Sequence, residues 1–308
     1  MSDLIDIKAY PVKELLSVLL MDKSTKKNII WATDAYTSYG PGFNDKNNIT
    51  SEILLGDSGF VLQPRISKSL EEQQERTRKK AEVMTPVWLC NKMNNFADEQ
   101  WFGRKDVFNH ENEDNTWTVT EEKIEFGKLS WKKYVDSRRL EITCGEAPYL
   151  VSRYDTTTGE LIVPPIRRIG MLDRKLRVVN ENTNNEQDWL KWAERAVEAS
   201  YGYEYQGDNL LIARINVLLT FREHYMERWD KEPDMKVLTH LAHIIAWNIW
   251  QMDGLKDTVP LGKPYEENHQ MTIFELMGIE EEKPEAVPCK IFNWRSNESM
   301  YFKDCKER

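Results

Sequence analysis

The sequence predicts an α/β fold: a parallel sheet with crossover helices, preceded by a mixed α/β N-terminal region. Three observations predict it. From residue 138 short apolar runs alternate with longer amphipathic stretches, the pattern of strand–helix–strand units. The 308 residues are 40% apolar and include eleven Trp, enough for a sizeable core. No apolar run approaches the roughly 18 residues of a membrane-spanning helix, so no membrane partner is expected. The boundaries expected are 1–65, an N-terminal region; 66–135, a helix and strand region; and 136–308, the α/β domain.

In chain order, residues 28–33 (NIIWAT) and 52–55 (EILL) read as strands around the Gly/Pro/Asn loop YGPGFNDKNN. Residues 66–81 read as a polar helix, with Ser69 and Glu72 spaced as a capping box. Its basic end carries Arg76, Arg78, Lys79 and Lys80, candidate contacts to DNA phosphates, against the plainer reading of a solvated helix. Thr85-Pro86 stops it, and the apolar segment VWLCNKMNNF follows. HENEDN (110–115) reads as a loop and Trp117 opens a strand. Glu121 and Lys123 have the bare E-x-K form of a nuclease metal site, with Asp114 upstream, a spacing frequent by chance.

The α/β part begins with the strand RLEIT (139–143), running into Cys144 and Gly145. Residues 186–199 form an amphipathic helix with Trp189, Trp192, Ala193, Ala196 and Val197 on one face. A second strand spans 201–205, and Asp208 caps the long helix after it. Pro233 separates that helix from another at 235–246, which leads to a third strand at 247–252. His240 and His243 sit i, i+3 on that helix without further ligands, so no metal is expected. Four Cys without C-x-x-C pairs make no disulfide framework. The N-terminus carries acids where a secretory leader is basic, so a cytoplasmic location is expected.

In a parallel sheet all C-terminal strand ends share one edge, where ligands bind. Gly145 there lets backbone approach a ligand; Glu204 and Asp208 stand where a ribose is held; Asp253 could accept from an adenine amine. G-x-G-x-x-G and the P-loop are both missing, which favours a nucleoside without phosphates. Each residue also has a plainer role: a tight turn for Gly145, a helix cap for Asp208, a turn for Asp253-Gly254, a small buried side chain for Cys144, core aromatics for Tyr149 and Trp250.

These segments resemble, in order, the adenine-N6 DNA methyltransferases and modification (M) subunits of restriction–modification systems. AEVMTP (81–86) resembles their Thr-Pro loop, LEITCGEAPYL (140–150) their strand-Cys-Gly-loop motif, and GYEYQGDNLLIARINVLL (202–219) the motif after it. QMDGL (251–255) resembles the next, and the likeness covers roughly residues 66–255. RIGMLDRKLRVVNEN and NIWQMDGL resemble short chains labelled restriction endonuclease subunit M. The resemblance implies a Rossmann-like sheet that binds S-adenosylmethionine (SAM). Thr85 and Pro86 would pack on its methionine end and Glu141 would lie near its amino group. Cys144 and Gly145 would lie in the loop under its carboxylate, with Glu204 on the ribose and Asp253 on the adenine. It implies DNA as a partner, together with a specificity, nuclease or completing methylase subunit.

Two departures stand out. Ala147 and Pro148 replace later glycines of the loop. The amino-methylating motif, Asn-Pro-Pro-aromatic, is missing; Lys263-Pro264-Tyr265 stands at its place with Lys for Asn and one Pro. That motif holds and stacks the target base. Only 55 residues follow Asp253, room for one or two short strands such as CKIF and SMYF. The C-terminal half of the sheet is therefore expected to be missing, its open face covered by the N-terminal region or a partner. The expected function is SAM binding and participation in DNA adenine-N6 methylation; the alternative is a catalytically inactive methyltransferase-like binding or scaffold subunit. The net charge of −9 argues against coating nucleic acid by bulk charge.

Overall fold

The computed structural model describes residues 4–80, 82–262 and 285–306. Helix α1 (Val12–Leu19) buries Val12, Leu15, Leu16 and Leu19 at helical spacing. Residues 28–33 form no strand beyond single bridges, Met21 with Asn28 and Ile30 with Asn48. Residues 52–55 belong to helix α2 (Ser51–Leu55), because the Thr50 hydroxyl caps it by accepting the Ile53 N–H at 3.3 Å. Helix α3 (Leu70–Lys80) starts behind the expected capping box: Ser69 N–H donates to Glu72 at 2.8 Å and Glu72 N–H to Ser69 Oγ at 3.3 Å.

Pro86 precedes helix α4 (Val87–Phe102), and Gly103 ends it in the left-handed region. Strands β1 (Asn109–Glu111) and β2 (Trp117–Val119) pair antiparallel, so the expected loop at 110–115 is a strand end and a tight turn. Helix α5 (Trp131–Val135) leads into the main sheet.

That sheet holds β3 (Arg139–Glu141), β4 (Ser200–Glu204) and β5 (Ile249–Gln251), all parallel, in the order β3-β4-β5. Helices α6 (Met171–Asn182) and α7 (Glu186–Glu198) make the first crossover; α8 (Gly207–Trp229) and α9 (Met235–Asn248) make the second. Asn185 caps α7 and Asp234 caps α9, each accepting a main-chain N–H at its helix start. Helix α8 is buried on nearly every side along its first four turns, so its apolar residues surround it rather than forming a stripe. Its first residue must be glycine: a Cβ on Gly207 would sit 2.1 Å from the Ile30 carbonyl, and the Gly207 N–H donates to Trp31 at 2.9 Å. Asp208 does not cap this helix. It lies inside the first turn, and its carboxylate is drawn instead to Tyr36, Lys68 and Arg76.

The sheet register assigns its faces. Glu141, Gly202, Glu204, Ile249 and Gln251 share one face; Leu140, Tyr201, Tyr203 and Trp250 share the other. The crossover helices cover the first. The second was expected to need the N-terminal region or a partner. In fact strands β6 (Lys290–Asn293) and β7 (Glu298–Tyr301) form a separate antiparallel hairpin there. Phe302 beyond it packs on Tyr203 and Trp250 at 5.9 and 5.2 Å, and Cys289 joins the same cluster. Leu140 and Ile142 stay outside this cover, 44% and 63% exposed.

The outer side of β5 is closed by Arg214 of α8. Its buried guanidinium donates to the carbonyls of Ile249 at 2.7 Å and Met21 at 3.0 Å. One hydrophobic cluster draws on all three expected regions, from Ile5 through Phe108 to Ile249, so they share one core. No described helix is long and apolar enough to cross a membrane.

Candidate functional site

The C-terminal ends of β3 and β4 open into a cavity of about 950 Å³. The volume suits a ligand of nucleoside size or somewhat larger. Its floor is built from the two strands. Glu141 ends β3 and Glu204 ends β4, on the same face, with Gly202 opposite Glu141 in the register. Gly202 leaves room for Cys144, whose Sγ would lie 3.2 Å from a Cβ there.

Both carboxylates are buried and held by main-chain amides. Glu141 accepts the N–H groups of Tyr149 at 3.2 Å and Leu150 at 2.9 Å. Glu204 accepts those of Gly145 at 2.8 Å and Gln206 at 3.1 Å, tying the loop after β3 to the start of α8. Burial pushes the Glu141 carboxyl up to about 8, against the pull of its two amides, and the charge of Glu204 adds to the rise. Burial raises Glu204 as well. The Cys144 thiol is pushed far up by burial and the two carboxylates, which makes it a small packing residue rather than a nucleophile.

The loop from Thr143 to Ala147 turns sharply, with Thr143, Gly145 and Ala147 all at positive φ. Gly145 adopts this conformation without steric cost, and a Cβ added to it would meet the Met84 sulfur at 3.5 Å. The loop takes its sharp form although Ala147 stands at a left-handed position that favours glycine.

The segment before α4 forms one wall. Glu82, Val83, Met84 and Thr85 all line the cavity, and the Thr85 carbonyl accepts the Thr156 hydroxyl at 3.0 Å. Pro86 does not line it; it starts α4. Met93 and Asn94 of α4, Met171 of α6 and Tyr149 line it as well. Glu82, Glu141 and Glu204 are the charged residues of the lining; no Lys or Arg is among the described lining residues.

Behind Glu82 lies a buried ionic cluster. Arg76 meets Glu82 at 2.6 Å and Asp208 at 2.9 Å, Lys68 meets Asp208 at 3.1 Å, and Arg65 meets Glu82 at 3.3 Å. Burial alone would raise the Asp208 carboxyl, but Arg76 and Lys68 hold it well below the usual carboxylate range. This corrects two expectations. Arg76 is committed inside the protein and is not a phosphate contact, and Asp208 is a counter-ion rather than a ribose partner. Of the other expected DNA contacts Arg78 is exposed, and the side chains of Lys79 and Lys80 lie outside the described residues.

Asp253 also departs from its expected role. It stands outside the cavity lining, in the turn after β5, where it accepts the Leu255 N–H at 3.0 Å and meets Lys256 at 3.4 Å. Lys263, Pro264 and Tyr265 lie outside the described residues. Glu121 and Lys123 are exposed, and Asp114 is spent on a turn with Thr116. His240 meets Glu194 and His243 meets Lys23. Among the described residues no group of three His, Cys, Asp or Glu is placed to hold a metal ion.

The cavity therefore gathers Thr85, Glu141, Cys144, Gly145 and Glu204 from the expected set. Sequence reasoning missed Glu82, Met93, Asn94, Gln206 and Asn209. Gln206 and Asn209 flank Asp208 in the same motif, and their amides both donate to Glu82, at 3.3 and 3.0 Å. Comparisons with protein-family models, with curated proteins and with solved structures return no match to this chain.

Proposed function

We propose that this chain is a methyltransferase-like M subunit of a restriction–modification system, with a Rossmann-like half sheet that binds SAM and takes part in adenine-N6 methylation of DNA. One observation carries the reading. Three motifs far apart in the chain, at Thr85, at Glu141 to Gly145 and at Glu204, line one cavity at the C-terminal edge of a parallel sheet. That is where a sheet of this kind takes a ligand.

The chemistry of the lining supports a nucleoside carrying an amino acid. Glu204 is fixed by two amides and keeps lone pairs for ribose hydroxyls. Glu141 provides a counter-ion for an ammonium group. Cys144 and Gly145 shape the loop beneath the ligand. The adenine end falls to Gln206, whose side-chain oxygen has no hydrogen-bond partner, because Asp253 is engaged elsewhere. The acidic lining disfavours a pyrophosphate cofactor. SAM, when bound, supplies an electrophilic methyl group; a partner subunit brings DNA and holds the target amine in line.

The second reading, a catalytically inactive binding or scaffold subunit, is favoured by the missing Asn-Pro-Pro-aromatic motif. Methylation assays on DNA with each neighbour-encoded protein added separate the two. Label transfer that depends on Glu204 supports the first, and SAM binding without transfer in every combination supports the second.

The primary test is calorimetric titration of SAM into the purified chain. Micromolar affinity, about −8 kcal/mol, abolished in Glu204→Ala, is the expected outcome. No heat of binding at millimolar SAM would overturn the cofactor reading.

A further inference from the structure

We propose that the outward face of α4 is a self-association surface: two copies of this chain pack α4 against α4 across a two-fold axis beside Phe96. The inference goes beyond the SAM reading and does not depend on it.

Helix α4 is inverted. Its inward side carries Asn91, Asn94 and Asp98. Asn91 donates to Asn109 at 3.0 Å, Asn94 donates to the carbonyls of Tyr149 and Ile169, and Asp98 meets Arg174 at 2.6 Å. These buried bonds fix which side of the helix faces the core. The large apolar side chains stand in solvent instead: Trp88 is 37% exposed, Met93 53% and Phe96 64%. Val83, Leu140 and Ile142 are exposed too, and they line the same cavity as Met93. They continue the apolar surface on the Met93 flank. Single exposed apolar residues are ordinary, but a group of this kind with a polar rim marks a contact.

The charges of the face point to its occupant. Trp88, Lys92, Phe96 and Glu99 stand at i, i+4, i+8 and i+11, which places them on one side of the helix. Lys92 and Glu99 are about two turns apart, and their midpoint falls between Asn95 and Phe96. A copy related by a two-fold axis at that midpoint runs its α4 antiparallel. Lys92 of each helix then faces Glu99 of the other, and Phe96 meets Phe96 at the axis. An acidic partner would suit Lys92 and be repelled by Glu99, and a basic one the reverse; a second copy answers both. The 16 residues of α4 give about 24 Å of contact length. Widened by the Met93 flank, such a contact can reach the roughly 800 Å² per partner of a specific interface. Met93 belongs to the cavity lining as well, so the two cavities open beside the contact.

The experiment is sedimentation velocity on the full chain with no added ligand. A dimer that dissociates in the micromolar range is expected. Phe96→Glu sets two like charges at the axis and should shift dissociation at least tenfold toward the monomer. Because Phe96 faces solvent, the variant should keep the circular dichroism of the parent. Lys92→Glu alone should weaken the dimer, and Lys92→Glu combined with Glu99→Lys should restore it. A trapping variant gives an independent reading. With Cys305→Ser removing the exposed thiol, Phe96→Cys should form a disulfide with its own copy, oxidised glutathione taking up the two electrons and two protons as two thiols.

A chain that stays monomeric throughout the micromolar range overturns the proposal. So does a dimer that survives Phe96→Glu and yields no disulfide through position 96, since another surface then joins the copies. Failure of the charge swap to restore a dimer weakened by Lys92→Glu overturns the antiparallel pairing. A monomer that binds a different protein, and loses it in Phe96→Glu, gives the face to a foreign partner and overturns self-association.

Discussion

At the scale of single residues, the carboxylates act on stability in opposite directions. Glu141 titrates at about 8 in the folded chain and near 4.3 in an unfolded one. The folded state therefore holds the extra proton between these values, and stability falls as pH rises across that window. Glu141→Gln removes the penalty. The variant should gain in melting temperature relative to the parent between pH 5 and pH 8, by several degrees. A difference that stays constant with pH would refute the assignment. Asp208 has the reverse sign: its depressed value contributes stability above the ordinary Asp range that is lost as pH falls through the folded value. The sequence made Glu141, Gly145 and Glu204 legible because each stands at the end of a recognisable strand. It misled on Asp208, since an acid before a helix has the form of a cap. The partners that claim it, Lys68 and Arg76, lie in a distant part of the chain.

At the scale of elements, helices with a capping signal or one apolar face were legible: α3, α7 and α9 keep their expected positions to within a few residues. Residues 52–55 were misread because three consecutive apolar residues fit one turn of helix as well as a strand. Helix α6 escaped the sequence reading although Leu172, Leu176 and Val179 recur at helical spacing. It buries Asp173, Arg174, Lys175 and Arg177 together with its leucines and valines, so its inward side looks polar. The Arg174 amino groups donate inside to Asp98 and Asn91, and the Lys175 ammonium to the carbonyls of Ser137 and Ala199. Helix α3 depends on charge in another way. Arg76 is the only buried side chain among those described on it. Arg76→Met would leave Glu82 and Asp208 short of a buried cation, at a cost of about 3–5 kcal/mol. Tryptic cleavage after Arg78 should then accelerate strongly while the core of the chain stays protected. An unchanged cleavage rate would mean that α3 is held by other contacts.

At the scale of the whole molecule, charge and shape limit what the chain does alone. Its net charge is −9, its cavity is acidic, and Arg76 is withdrawn into the interior. Counter-ion release needs free Lys and Arg along the phosphate track. The chain by itself should give no retarded band with duplex DNA at about 0.15 M salt in a mobility-shift assay. A stable band would put the DNA contact on this chain rather than on a partner. The sequence placed the three parallel strands described in the sheet in their order along the chain. It did not foresee that the residues after β5 would turn back over the sheet, because two short antiparallel strands give no sign of what they cover.

The staple made by Arg214 gives this sheet a direction of growth. On the β5 side its guanidinium occupies the Ile249 carbonyl, and the chain around Met21 is fastened against it. Addition of a strand there is blocked. On the β3 side the backbone of Leu140 points away from β4 and has no partner among the described residues. The sheet is therefore a one-ended template: any strand that lengthens it must join beside β3, where the cavity also opens.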